Sequence, residues 1–196
     1  MLFTTIVSLL LASTALAQTP AGFTPSVNKT LDVYYGTTLI TPGLMMKKSS
    51  VAKQPTISVA GDTLIGKYLL AMIDIDVPSG SKRTTVLHTL LSDFTPSGTP
   101  QNGTTSLTTT ATGPASYMGP APPAETPKHP HNYIFLLHAQ PDNFAVPASQ
   151  KSVMQSRMGI DWVKFMADAG LKDPLYANYL QVQSGDNTKS EVEFQG

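Results

Sequence analysis

A β-dominated α+β fold is what the sequence predicts, on three observations. First, "KYLLAMIDIDV", "TVLHTLLSDF" and "NYIFLLHA" are continuous apolar runs of strand length. A strand with no polar face is one covered on both sides, so these runs imply a sheet buried between other layers. Second, helix signals are confined to the last third of the chain. Third, "YANYLQVQ" near the end alternates Tyr176, Asn178 and Leu180 against Ala177, Tyr179 and Gln181, the pattern of a closing strand.

The elements follow in order. The opening "MLFTTIVSLLLASTALA" has no charged side chain, an apolar stretch from Ile6 to Leu11, and Ala15-Leu16-Ala17 at its end. This is a secretory signal lacking the usual basic residue, with cleavage expected before Gln18 and an extracellular destination. The apolar stretch is shorter than the about 20 residues a bilayer span takes. Residues 18–196 then form one domain, with a core over about 29–183 and a polar tail over 184–196. "LDVYYG" alternates Leu31 and Val33 against Asp32 and Tyr34, and "TISVAGDTL" sets Ile57 and Val59 on one face before a Gly-Asp turn, a hairpin-like signal. After two of the apolar runs comes a charge-free Thr, Gly and Pro stretch, residues 95–117, which reads as a long loop or a loop holding one weak Thr-rich strand. "ASQKSVMQSRM" is a short helix. "IDWVKFMADAGLKDP" is a fuller one, with Asp161 at its start, Gly170 at its end, Pro174 just beyond, and Trp162, Phe165, Met166 and Ala169 as its core face.

Composition excludes several functions. Thirteen basic and thirteen acidic residues cancel, and only Arg83 and Arg157 are arginines, so the concentrated basic surface of a nucleic-acid binder is missing. No later segment is long and apolar enough to span a membrane, and the polar tail does not fit a lipid-anchor signal. Without cysteine there are no disulfides, no thiol catalysis and no thiolate metal site, so stability rests on a packed core. Two acceptor sequons, Asn28-Lys29-Thr30 and Asn102-Gly103-Thr104, mark candidate glycosylation sites at Asn28 and Asn102.

Three of the four histidines fall in "KHPHNYIFLLHAQ". Strand parity puts His131, Tyr133, Phe135 and Leu137 on one face, with His129 beside them if the strand is regular that far, and turns His138 to the other. His88 shares a face with Val86 and Leu90, and Asp74 and Asp76 end the apolar run "YLLAMI" before Pro78. Zinc binding by His88, His129 and His131 suits imidazole chemistry, but no spacing demands it, and no metal ligand is assigned. A Ser-His-Asp hydrolase lacks its G-x-S-x-G. Hydrogen-bonded histidines in a β core are the plain alternative.

The order of these features resembles the phosphatidylethanolamine-binding protein family. "DIDVP" stands where that family has Asp-Pro-Asp-x-Pro, followed by a strand bearing His88, then "YMGPAPP" before His131-x-Tyr133. "RMGIDWVKFMADAGLKDPLYANYLQV" resembles the closing helix and strand of the secreted fungal members, and the likeness runs from about residue 29 to 183. It implies a large antiparallel sheet packed on a smaller one, with helices near the C-terminus. It also implies a small pocket for a phosphate or phospholipid head group, lined by Asp74, Asp76, His88, Ala121, Pro123, His131 and Tyr133. There the imidazoles and the phenol would donate to an oxyanion and the carboxylates would orient the rings or accept from an ammonium. Ala121 replaces a glycine, the first box proline is Ile75, the segment before His131 is about two residues longer, and His138 stands where the family often has tyrosine. The expected function is a binding protein needing no cofactor. A second function in the family is inhibition of a serine carboxypeptidase, and an acid–base hydrolase is a distant third.

Overall fold

The computed structural model describes residues 17–185, so residues 1–16 of the expected secretory signal and the tail from 186 onward lie outside the described residues. Ten strands run in chain order: β1 (Asp32–Tyr35), β2 (Thr38–Leu39), β3 (Leu44–Met45), β4 (Thr56–Ala60), β5 (Tyr68–Ser79), β6 (Lys82–Gln101), β7 (Thr104–Thr108), β8 (Pro114–Ala115), β9 (His131–Ala139) and β10 (Tyr176–Val182). Two helices, α1 (Lys151–Ser156) and α2 (Trp162–Ala169), fall between β9 and β10. The strand order is β2-β1-β4-β7-β6-β5-β9-β10-β3, with β8 also on β6. Among these pairings only β10 with β3 is parallel.

The three apolar runs become β5, the first half of β6, and β9, lying side by side at the centre. Their composition follows from two coverings. Leu70, Met72, Tyr133, Phe135 and Leu137 pack with Val33, Ile57 and Val59 of the smaller sheet, formed by β2, β1, β4, β7 and the far half of β6. Leu69, Ala71, Ile73, Ile134 and Leu136 face the other way, onto Trp162, Phe165 and Met166 of α2. Alternation of side chains along a strand, with an apolar layer on each face, is the reason neither parity is polar.

Strand β6 joins the two sheets by bending at Asp93. Its register against β5 slips between Phe94 and Leu91, and Asp93 takes φ 59°. An extra residue with positive φ is a bulge, which sharpens local twist. The Asp93 carboxylate accepts from Lys67 Nζ (2.7 Å), Ser92 Oγ (2.7 Å) and Gln140 Nε2 (3.1 Å). These bonds, Lys67 first, hold its pKa down at about 2.

Two expectations need correction. Residues 95–117 are mostly strand, because β6 continues to Gln101 and β7 and β8 follow. The turn between β6 and β7 is Asn102-Gly103, both at positive φ (51° and 75°), the geometry a two-residue hairpin requires. Threonine suits a strand with one wet face, and on β7 only Thr105 and Leu107 are buried. The Gly-Asp turn after Val59 closes no hairpin. Gly61 (φ 80°) redirects the chain, but β4 pairs with β1 and β7 while β5 joins β6 and β9.

The late helices form as their signals indicate. Asp161 caps α2 by accepting from Lys164 N (2.9 Å), and Gly170 ends it in the left-handed region. A 3₁₀ turn over Ala148–Gln150 leads into α1. No helix among the described residues is long and apolar enough to cross a membrane.

Candidate functional site

The site forms where β5, β6 and β9 end at one edge. Asp74 on β5 sits opposite Tyr133 on β9, and the β5–β6 register slips again between Asp74 and Val77, inside the Asp-Ile-Asp-Val-Pro box. That irregularity turns backbone polar groups inward. The Asp76 N–H donates to Asp74 Oδ1 (2.9 Å), while Asp74 Oδ2 accepts from His131 Nδ1–H (2.8 Å). Asp74 is 2% exposed and His131 fully buried, so this is an interior charge-assisted pair.

The second nitrogen of His131 also meets a carboxylate. Its Nε2–H donates to Glu125 Oε1 (2.8 Å), and Glu125 Oε2 is paired with Arg83 Nη1 (2.7 Å). Arg83 also donates from Nη1 to the Asp76 carbonyl (2.7 Å), which seats it at the rim. Burial works against charge on the His131 ring, but the hydrogen bonds and charges of Asp74 and Glu125 outweigh it and raise its pKa. The His131 hydrogen bond, with help from Arg83, holds the Glu125 carboxyl below its ordinary value despite some desolvation.

His88 is arranged differently. Its Nδ1–H donates to the Met118 carbonyl (2.8 Å), and Met118 N–H donates back to the His88 carbonyl (2.9 Å). Burial lowers its pKa, opposed by the Met118 carbonyl and the Asp74 charge. The ring is therefore neutral near pH 7, with its lone pair at Nε2. Both imidazoles were expected to donate to an oxyanion. The N–H of His88 is already committed to Met118, which leaves it an acceptor.

Tyr133 lies between the two rings, 5.0 Å from His88 edge-on and 6.4 Å from His131 in a stacked arrangement. Its hydroxyl is buried and makes no hydrogen bond of ordinary geometry, although the Asp74 carboxylate and the Ala121 backbone lie close enough to influence its titration. Burial first, then the Asp74 charge, raises its pKa far above the ordinary phenol value.

The loop carrying Met118 is clamped from three sides. Tyr117 OH donates to the Val51 carbonyl (2.7 Å) and meets Tyr35 OH (2.7 Å). Gly119 passes so close to Val51 that a Cβ would stand 3.0 Å from its carbonyl oxygen, so a side chain there would push the two backbones apart by a few tenths of an ångström. Arg157 donates to the Ser116 carbonyl (2.8 Å) and Ser116 Oγ (3.1 Å). Both arginines of the chain thus end beside this site.

Asp74, His88, His131 and Tyr133 are brought together. Asp76 is not aimed at the rings: its Oδ2 accepts from Asn132 N and Nδ2 (2.8 Å each), so it orders the start of β9. Ala121 and Pro123 are exposed, while Pro120 and Pro122 are the buried prolines of the loop. Ala121 does not need the glycine conformation: positive φ outside glycine is confined among the described residues to Asp93, Asn102 and Arg157. His138 faces the helices, where Nδ1–H donates to the Lys172 carbonyl (2.8 Å). Asn28 and Asn102 are exposed. Glu125 and Arg83 are the functional candidates that sequence reading passed over. One signal was available, since Glu125 is the only acidic residue between Asp93 and Asp142.

Comparison with known proteins agrees with this fold. The family model described as phosphatidylethanolamine-binding protein matches residues 27–180. The chain is 29% identical over 195 residues, 91% of its length and 96% of the relative's, to phomoidride biosynthesis cluster protein N of Talaromyces stipitatus. Among solved structures it resembles a carboxypeptidase Y inhibitor complexed with its cognate proteinase (TM-score 0.62, 19% identity, 80% of this chain and 84% of that one). It also resembles a phosphatidylethanolamine-binding protein from Plasmodium vivax (TM-score 0.52, 14% identity, 80% and 85%). With the match spanning the sheets, the Asp74 box, His88 and all but the end of β10, the chain belongs to the phosphatidylethanolamine-binding protein family.

Proposed function

We propose that this is a secreted, non-enzymatic binding protein whose pocket at His88, His131 and Tyr133 holds a phosphate group, free or on a phospholipid head group. The observation that carries the reading is the Tyr133 hydroxyl, buried and unpartnered between two imidazoles. Buried hydroxyls are nearly always hydrogen-bonded, and an orphan donor beside two rings calls for an acceptor with several oxygens. A hydrogen phosphate meets the whole set. Its oxygens accept from Tyr133 O–H and from His131 Nε2–H once Glu125 turns aside. The P–O–H of a free hydrogen phosphate donates to Nε2 of His88, where a phosphodiester head group, which has no P–O–H, offers only its ammonium N–H. Asp74 fixes His131 throughout, and the Asp76 side chain acts through Asn132.

Calorimetric titration with inorganic phosphate and with phosphoethanolamine is the test. Tyr133→Phe should weaken both by about tenfold, the loss of one hydrogen bond to a charged group. No binding by the wild-type chain at millimolar ligand, or equal affinity in Tyr133→Phe, overturns the reading. A stronger response to phosphoethanolamine identifies the head group as the source.

Inhibition of a serine carboxypeptidase is the second reading, supported by the fold shared with a carboxypeptidase Y inhibitor. It needs an exposed contact surface rather than this buried pocket. Tyr133→Phe should therefore leave inhibition unchanged, and full activity of such an enzyme at micromolar excess of this protein removes the reading.

A further inference from the structure

We propose that Glu125, His129 and His131 form a binding site for a divalent transition-metal cation of the zinc class. One ligand atom from each of the three lies within 4.8 Å of the others. Two of the three are already aimed from behind. His131 gives Nδ1–H to Asp74 Oδ2 at 2.8 Å, which directs Nε2 at Glu125, where the metal ion takes the place of the Nε2 proton released to solvent. Arg83 holds Glu125 Oε2 at 2.7 Å, which directs Oε1 toward that nitrogen. A carboxylate behind a ligating imidazole is the arrangement that fixes ring orientation and strengthens the ligand in metal sites. The third member supplies an independent sign. His129 Nδ1 is buried and has no hydrogen-bond partner, so a polar atom beside two charged groups is left unsatisfied.

The donor set selects the ion. Two imidazoles and a carboxylate, in a chain without cysteine, suit zinc and its neighbours in the transition series rather than calcium or magnesium, which want oxygen. Metal–ligand bonds of about 2.0–2.2 Å set tetrahedral ligands roughly 3.4 Å apart, so His131 Nε2 and Glu125 Oε1, now hydrogen-bonded at 2.8 Å, must part slightly while His129 closes on them. Glu125 and His129 lie on the partly exposed connection between β8 and β9 and have room to do this. Three protein ligands leave a fourth position open to water or an anion.

Zinc calorimetry, with cobalt(II) absorption as the geometric check, decides the matter on the full chain. The wild type should bind one zinc ion. His129→Ala, a change in the connection that leaves the core intact, should weaken binding at least tenfold, and Glu125→Gln similarly, with far-ultraviolet circular dichroism unchanged. His88→Ala should bind zinc as the wild type does. Absence of zinc binding at millimolar concentration overturns the site, as does equal affinity in His129→Ala. The site shares His131 Nε2 with the phosphate reading, but the two are tested separately: His129→Ala should lose zinc and keep phosphate, whereas Tyr133→Phe should lose phosphate and keep zinc.

Discussion

A carboxylate already bonded to His131 competes with any anion that needs the same ring nitrogen. Glu125 is such a competitor, held at 2.8 Å and braced by Arg83. Glu125→Gln removes its charge while keeping its shape, so phosphate should bind about tenfold more tightly, a gain of about 1.4 kcal/mol. Titration of the variant with phosphate checks this, and weaker binding would instead make Glu125 a supporting member of the pocket. At this scale the sequence was informative where register decides position. His131 and Tyr133 share a face and His138 does not, because side chains alternate along a strand. Asp76 was harder to place, since a register slip follows Asp74 and no parity rule survives a bulge. Glu125 sits in a connection with no period at all, and Arg83 reaches it from the β5–β6 turn, so their meeting is purely tertiary.

Short elements here depend on their ends. In α2, eight residues long, the Asp161 cap satisfies one of the four free N–H groups of the first turn. Asp161→Ala should cost about 1 kcal/mol, read as a lower urea midpoint at unchanged slope. A similar dependence holds at the β6–β7 hairpin, where Gly103 has φ 75°. Gly103→Ala should cost about 1 kcal/mol, since an L residue pays at least that in the left-handed region. The same two ends explain what sequence reading found and missed. Asp161 and Gly170 flank an apolar period of 3.6, so α2 was readable from its caps inward. The hairpin carried Asn102-Gly103, but its arms are Thr, Ser, Gly and Pro with few apolar residues, and burial is too sparse there to show a period of two. Which strand pairs with which depends on contacts distant in sequence, so the β4–β7 pairing had no local sign at all.

Across the whole molecule, the sheet and its helices meet at His138, and that contact sets an acid limit on stability. The ring is fully buried on β9, 5.5 Å from Trp162, with Nε2 unpartnered. Burial, opposed by the Lys172 carbonyl and the Asp173 charge, pushes its pKa down to about 4. In the unfolded chain the same imidazole titrates near about 6.5. Because the folded state releases the proton more readily, the unfolded state binds more protons between those values, and stability falls as pH drops through that window. A gap of about 2.5 units corresponds to about 3 kcal/mol, a large share of the roughly 5–15 kcal/mol that holds a domain folded. His88 is shifted in the same direction, while the raised pKa of His131 acts oppositely and gains stability toward acid. A comparison at one residue separates these contributions. His138→Gln keeps an amide donor for the Lys172 carbonyl and does not titrate, so its stability should change less between pH 7 and 4, by about 3 kcal/mol relative to wild type. Urea unfolding at each pH measures the difference. Parallel curves for the two proteins, or an imidazole resonance of His138 that titrates near 6.5 in the folded chain, would show that the ring is not the acid-sensitive joint between the sheet and its helical layer.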